Sequence, residues 1–130
     1  MRSDSARWVS LLLVALLVCC GEAMGEDHLN TFDFKHFESL PRNEIVSAAQ
    51  RYLNRRFPAG SDLQAVQNEL IFAGARCARG VGRRGLYYEC DYERPAGIPF
   101  ATIEWKIILR PDADEKKLLE ISVNRALTGL

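Results

Sequence analysis

In residues 43–57, apolar side chains recur at the spacing of one helix face. The apolar side chains that recur at this spacing are Ile45, Ala49, Leu53 and Phe57. Asn43 precedes them as the predicted N-cap, because its side chain can accept a hydrogen bond from a free N–H of the first turn. The helix is predicted to end at Pro58-Ala59-Gly60, since proline cannot continue a helix.

A second helix is predicted directly after the first. Ser61 and Gln64 have the spacing of a capping box, in which the Gln64 side chain reaches back to the Ser61 amide. The apolar stripe of this helix is Leu63, Val66 and Leu70. Gly74 can adopt the left-handed conformation that closes a helix, so we expect two short helices in succession.

After Gly74 the period of the apolar residues changes from 3.6 to 2, which indicates strands with one buried face. A short strand is expected at 75–79, followed by three longer ones. The residues predicted to face inward are Leu86, Tyr88, Cys90 and Tyr92, then Ile103, Trp105, Ile107 and Leu109, then Leu119, Ile121 and Val123.

This order of elements predicts an α+β domain of two layers over residues 43–130. Short connections favour an antiparallel meander of three or four strands, with both N-terminal helices on one face of the sheet. Residues 26–42 form a predicted N-terminal arm. Its side chains expected to lie on the core are Phe32, Phe34, Phe37 and Leu40.

Residues 1–25 have the pattern of a secretory signal peptide. Arg2 and Arg7 give a basic start, and an uncharged stretch follows from Trp8 to Cys20, which is too short for a bilayer span. The predicted cleavage follows Gly25. Cys20, in a sequence similar to a bacterial lipobox, is the alternative processing site, where the chain would be lipidated.

Composition and charge limit the function classes. The chain has 130 residues, 48% of them hydrophobic, and its 17 Lys+Arg balance 17 Asp+Glu. These values argue against a disordered chain and against a dedicated nucleic-acid binder, which normally has a basic surplus. They fit one small globular domain.

Beyond the signal peptide, two cysteines remain, Cys77 and Cys90. They lie on strands predicted to be neighbours in an oxidising compartment, so we expect them to form a disulfide across the hairpin. Closing so short a loop stabilises a domain by about 3 kcal/mol.

The segment between these strands is basic. Its arginines are Arg76, Arg79, Arg83 and Arg84. Guanidinium groups at this density can bind phosphates of lipid headgroups or an acidic partner, and the alternative is a solvated loop balanced by nearby carboxylates. Residues 80–85 also match GxGxxG, but a strand follows them where a dinucleotide site needs a helix, so we interpret the glycines as a hairpin loop.

Signals for metals or catalysis are weak. Cleavage after Gly25 would place His28 third in the chain, an arrangement that can bind copper(II) or nickel(II) through the N-terminus. Asp112 and Asp114 lack the glycine and glutamate of a calcium loop and fit a polar turn. No serine elbow, paired metal histidines or Cys-His neighbours occur, so we predict no enzyme and no cofactor.

Phe57-Pro58-Ala59-Gly60-Ser61, then Val66 and Leu70, then a strand meander carrying Trp105, resemble the small envelope proteins of the BamE/SmpA type. The two-helix-on-sheet unit is similar to that of β-lactamase-inhibitor proteins. The resemblance covers residues 43–124 and implies a bacterial envelope protein that works by contact, without cofactor or chemistry. No binding residue of the family matches position by position.

The expected function is therefore that of an exported, non-enzymatic interaction protein, periplasmic or secreted, or lipid-anchored to the outer membrane. Its partner would be an envelope protein or a membrane surface, with no nucleic acid and no small-molecule substrate. The expected contact surfaces are the uncovered sheet face and the basic hairpin. Two alternatives stay open: an inhibitor of a secreted or periplasmic enzyme, and metal binding through His28.

Overall fold

The computed structural model of the protein describes residues 29–129. The predicted signal peptide with Cys20, the predicted N-terminus at Glu26, His28 and Leu130 lie outside the described residues. The elements in chain order are α1 Phe34–Glu38, α2 Ile45–Arg56, α3 Leu63–Phe72, β1 Arg76–Gly82, β2 Gly85–Pro95, β3 Thr102–Pro111 and β4 Leu118–Thr128.

The fold class is the predicted one, α+β with a two-layer arrangement. The strands form an antiparallel meander in the order β1-β2-β3-β4. The helices precede the sheet and pack on one face, α2 against β4 and α3 against β1 and β2. One helix was not expected: α1 lies inside the predicted arm, where five residues are too few to show a helical period.

Helix α1 is set by its cap and by two phenylalanines. The Asp33 side chain accepts a hydrogen bond from the Lys35 N–H at 3.0 Å, which satisfies one free donor of the first turn. Phe34 and Phe37 lie three residues apart on one helix face and are both buried. The described part of the arm therefore packs on the core, as predicted.

Both predicted N-caps were wrong by one residue. The α2 cap is Glu44, because a turn closed by the Glu44 N–H and the Pro41 carbonyl at 2.8 Å carries Asn43. The α3 cap is Asp62, whose carboxylate accepts from the Ala65 N–H at 3.2 Å. The hydroxyl of Ser61 instead donates to the Pro58 carbonyl, and Gln64 donates to Asn68. Gly74 has the predicted left-handed conformation, with φ of 111°.

The alternation predicted for the strands is confirmed with one exception. Ile103, Trp105, Ile107 and Leu109 are buried, as are Ile121 and Val123. Leu119 is exposed and Leu118 is buried in its place. The cause is a register shift at Arg110/Pro111, which brings Leu118 opposite Pro111 and changes the side chain that faces inward.

Aromatic side chains join the helical layer to the sheet. The Phe34 ring stacks on Tyr92 with centroids 4.0 Å apart and meets Trp105 edge-on at 5.3 Å. Phe32 packs against Phe37 and Tyr52 in the same cluster. Trp105 has 1% of its surface exposed, so one face of the sheet is closed to solvent.

Helix α2 also covers the outer edge of β4. The Gln50 side chain donates to the Ile121 carbonyl at 2.9 Å and accepts from the Val123 N–H at 2.9 Å. The α2–α3 connection continues this pairing, since the Gly60 N–H donates to the Leu118 carbonyl. These bonds satisfy edge groups that would otherwise be open to another strand.

The predicted disulfide between Cys77 and Cys90 is present. The two residues lie directly opposite each other on β1 and β2, with Cα atoms 4.0 Å apart. Cys90 is fully buried, whereas most residues of β1 are exposed. The disulfide therefore fixes an edge strand that has little apolar burial of its own.

Replacing Cys77 and Cys90 together by alanine should lower the free energy of unfolding by about 3 kcal/mol, because the bridge closes a short loop. Denaturant unfolding of both proteins under oxidising conditions measures the change. In the presence of reductant, the variant and the native protein should unfold at nearly the same denaturant concentration. Equal stability under oxidising conditions would contradict this role of the bridge.

Candidate partner-binding surface

The face of the sheet opposite the helices is here called the open face. Its side chains alternate with those of the core along each strand. Its side chains include Arg76 on β1, Tyr87, Glu89, Asp91 and Glu93 on β2, Glu104 and Lys106 on β3, and Asn124 on β4. All of these residues are half-buried or exposed, and the helices pack on the other side of the sheet.

Carboxylates dominate the open face toward the end where β2 connects to β3. The strand register places Glu93 opposite Glu104 and Asp91 opposite Lys106. A shallow groove of about 280 Å³ runs over these residues to Asn124. Like charges directly opposite on neighbouring strands are unfavourable, so the Glu93–Glu104 position carries an electrostatic cost within the protein.

Glu89 and Asp91 form a second carboxylate pair, two residues apart on the same face of β2. Burial raises the pKa of Glu89, and so do a hydrogen bond with Asp91 and the charge of that residue. Lys106 opposes these effects with its Nζ 3.8 Å from Glu89 Oε1. Asp91 Oδ1 is buried and accepts no hydrogen bond from any described residue. Such an acceptor costs about 1–3 kcal/mol.

The four predicted binding arginines do not form one surface. Arg76 lies on the open face, at the start of β1 and opposite Asp91. Arg79 lies on the other face, where it pairs with Glu115 at 2.8 Å. The Tyr88 hydroxyl donates to the same carboxylate at 2.7 Å, and Arg79 and Tyr88 together lower the pKa of Glu115.

The remaining two arginines occupy the turn between β1 and β2. Arg84 is 3.5 Å from Glu120 and largely exposed. Arg83 is exposed and forms no ion pair with any residue between 29 and 129. Of the four predicted arginines, Arg83 and Arg84 are therefore the two that lie at the hairpin tip.

The glycines of residues 80–85 have a structural role that the sequence pattern did not show. The segment joins two antiparallel strands, so its match to a dinucleotide motif lacks the required helix. The Tyr87 ring lies over Gly80, where a Cβ atom would come within 2.6 Å of it. Glycine is needed at this position so that Tyr87 can lie flat on the open face.

The metal hypotheses find no site in the described part of the chain. Asp112 accepts hydrogen bonds from the Lys116 and Lys117 N–H groups, which confirms the predicted polar turn. Between residues 29 and 129, no three His, Cys, Asp or Glu side chains are grouped to hold a metal ion. The copper hypothesis depends on His28, which lies outside the described residues.

No protein-family model, curated protein or solved structure matches the chain. The resemblance to the BamE/SmpA type therefore stays a prediction. Of the helices that the structure describes, none has the length and apolarity that crossing a membrane requires.

Replacing Glu89 by glutamine tests the carboxylate pair. A carboxyl whose pKa is raised on folding contributes stability that is complete below its unfolded pKa and is lost as the pH rises through the folded pKa. Glutamine does not titrate, so the stability of the variant relative to the native protein should increase from about pH 4 to neutrality. Denaturant unfolding at both pH values measures this difference.

Asp114 provides the matched control, because it is exposed in the β3–β4 turn and lies at no helix end. Asp114→Asn should change stability by a similar amount at both pH values. An equally flat response of Glu89→Gln would contradict the interaction between Glu89 and Asp91.

Proposed function

We propose that the protein is an exported, non-enzymatic interaction protein of the bacterial envelope that binds a partner through its open face. The signal-like residues 1–25 support export, and the Cys77–Cys90 disulfide is consistent with an oxidising compartment. The observation that carries the proposal is the carboxylate groove on the one face of the sheet that the helices leave uncovered.

The groove is suited to a partner that supplies positive charge. Three carboxylates and one lysine line the groove on the open face. Arg125 also lines it, but its guanidinium donates to Glu38 on the helical side of the sheet. A lysine or arginine of the partner would relieve the repulsion between Glu93 and Glu104.

The hairpin tip is a second contact in this proposal. Arg83 and Arg84 lie at the end of the β1–β2 hairpin and are both exposed, and guanidinium groups bind acidic or phosphate groups. Arg79 is left out because its guanidinium is held by Glu115. An inhibitor of an envelope enzyme and a factor of a membrane complex would both use such contacts. The identity of the partner would distinguish these two functions.

Reversing two charges of the groove tests the proposal. Affinity capture from an envelope extract of the native host should recover a partner with the native protein. Glu93→Lys combined with Glu104→Lys should lower its recovery by about tenfold or more, because the groove would then repel a cationic segment. A hydrolase among the captured proteins would indicate an inhibitor, and a membrane complex would indicate an assembly or maintenance role.

Glu44→Lys is the matched control, since it makes a charge reversal on the helical side. It should leave the capture unchanged. Failure of the native protein to recover any partner, or equal recovery by all three proteins, would contradict binding through the open face.

A further inference from the structure

Three large apolar side chains that are exposed between residues 29 and 129 lie together where β2 connects to β3 beside the end of β4. We call this part of the protein the apolar end and define it by Ile98, Phe100 and Leu127. It differs from the open face, so it goes beyond the proposed function.

Phe100 is the most exposed of these residues. Its surface is 92% exposed, and its φ of 65° lies in the left-handed region, which is unfavourable for a bulky side chain. The loop is closed by hydrogen bonds from the Ala96 N–H to the Ala101 carbonyl and from the Ala101 N–H to the Ile98 carbonyl. These bonds hold an aromatic ring in solvent, where it gains no packing within the protein.

Gly129 contributes to the same conformation. A Cβ atom at position 129 would collide with the carbonyl oxygen of Phe100. The end of β4 therefore lies directly beneath the backbone of the β2–β3 loop. The exposed position of Phe100 is set by main-chain contacts and does not depend on its side chain.

Positive charge accompanies the apolar residues. Arg42 lines a hollow of about 240 Å³ together with Ile98 and Leu127. Arg94 lies at the end of β2, opposite Ile103. Within the described residues neither arginine forms an ion pair. Exposed apolar side chains next to guanidinium groups match the two layers of an anionic bilayer surface, acyl chains below and headgroups above.

The described chain begins beside α3. The Phe32 N–H donates to Glu69 at 3.3 Å, and Glu69 lies one turn before the end of α3. The segment from Cys20 to Leu29, even fully extended, spans only about 30 Å. Lipidation at Cys20 would therefore hold the domain close enough to the membrane for the apolar end to reach it.

From these features we propose that the apolar end inserts Ile98 and Phe100 into the interfacial region of an anionic lipid bilayer. Protruding loop side chains suit a bilayer, which deforms around them. The open face is still free for a partner, since its side chains project from the side of the sheet and Ile98 and Phe100 lie in the loop beyond the strand ends.

The test uses the purified chain from Glu26 onward, the predicted mature form that begins after Cys20, so that neither acyl chains nor the apolar residues 8–20 contribute to binding. Its partition onto vesicles of phosphatidylethanolamine and phosphatidylglycerol is measured by flotation. Ile98→Ser combined with Phe100→Asn should weaken the partition by about tenfold or more, because two apolar side chains no longer leave water. Asparagine tolerates the left-handed conformation at position 100, so the fold should be kept.

Val81→Ser is the matched control, because Val81 is 75% exposed at the opposite end, beside the hairpin. It should leave the partition unchanged. A second readout is Phe100→Trp, whose emission should shift to the blue when vesicles are added, whereas the buried Trp105 should not respond.

Three results would overturn the proposal: the protein with its native Ile98 and Phe100 fails to bind the vesicles at all, Val81→Ser weakens the partition as much as the double variant does, or the emission of Phe100→Trp stays unchanged when vesicles are added. The open-face charge reversal should not weaken the partition, because it adds positive charge next to an anionic surface. Failure of this proposal and failure of the proposed function are therefore distinguishable.

Discussion

The packing of aromatic side chains around Trp105 is the interaction on which the rest of the structure depends. Trp105 lies on β3, and its ring contacts those of Phe32 and Phe34 from the helical side of the sheet. The Phe34 ring also stacks on Tyr92. Each large ring removes about 150–250 Å² from water when it is buried, which is a substantial contribution in a domain of this size. The cluster fixes α1 and α2 on one face of the sheet, and the ion pair between Glu38 and Arg125 at 2.7 Å reinforces this contact. The sheet is left with one closed and one open face.

The two faces differ in how their charges are paired. On the helical face, charged groups form ion pairs: Arg125 with Glu38, Arg56 with Glu69, and Arg79 with Glu115. On the open face, Lys106 pairs with Glu89, but Glu93 and Glu104 oppose each other and form no ion pair with any described residue. Like charges directly opposite on neighbouring strands are unfavourable. We therefore relate this carboxylate pair to a partner, which would lie on the side of the sheet while the apolar end meets the membrane.

Most of the fold was predictable from the sequence, because the period of the apolar residues shows which side of a helix or strand is buried. The two longer helices, the antiparallel meander and the Cys77–Cys90 bridge were all predictable from it. Helix α1 was missed because it is only five residues long, and Leu119 was misplaced because a register shift leaves no mark in an alternating pattern. The candidate sites were harder to predict. Arg76 and Arg79 are close in sequence but point to opposite faces of β1, and the Glu93–Glu104 opposition depends on strand register.

Carboxylate footprinting of the open face tests the central claim most directly. Carbodiimide labelling of the purified protein is compared with labelling of the same protein in an envelope extract that contains its partners. Labelling of Glu93 and Glu104 should fall in the extract, whereas labelling of Glu44 and Asp114, which are exposed elsewhere, should stay the same. Equal labelling of Glu93 and Glu104 in both samples would contradict the claim that a partner binds the open face.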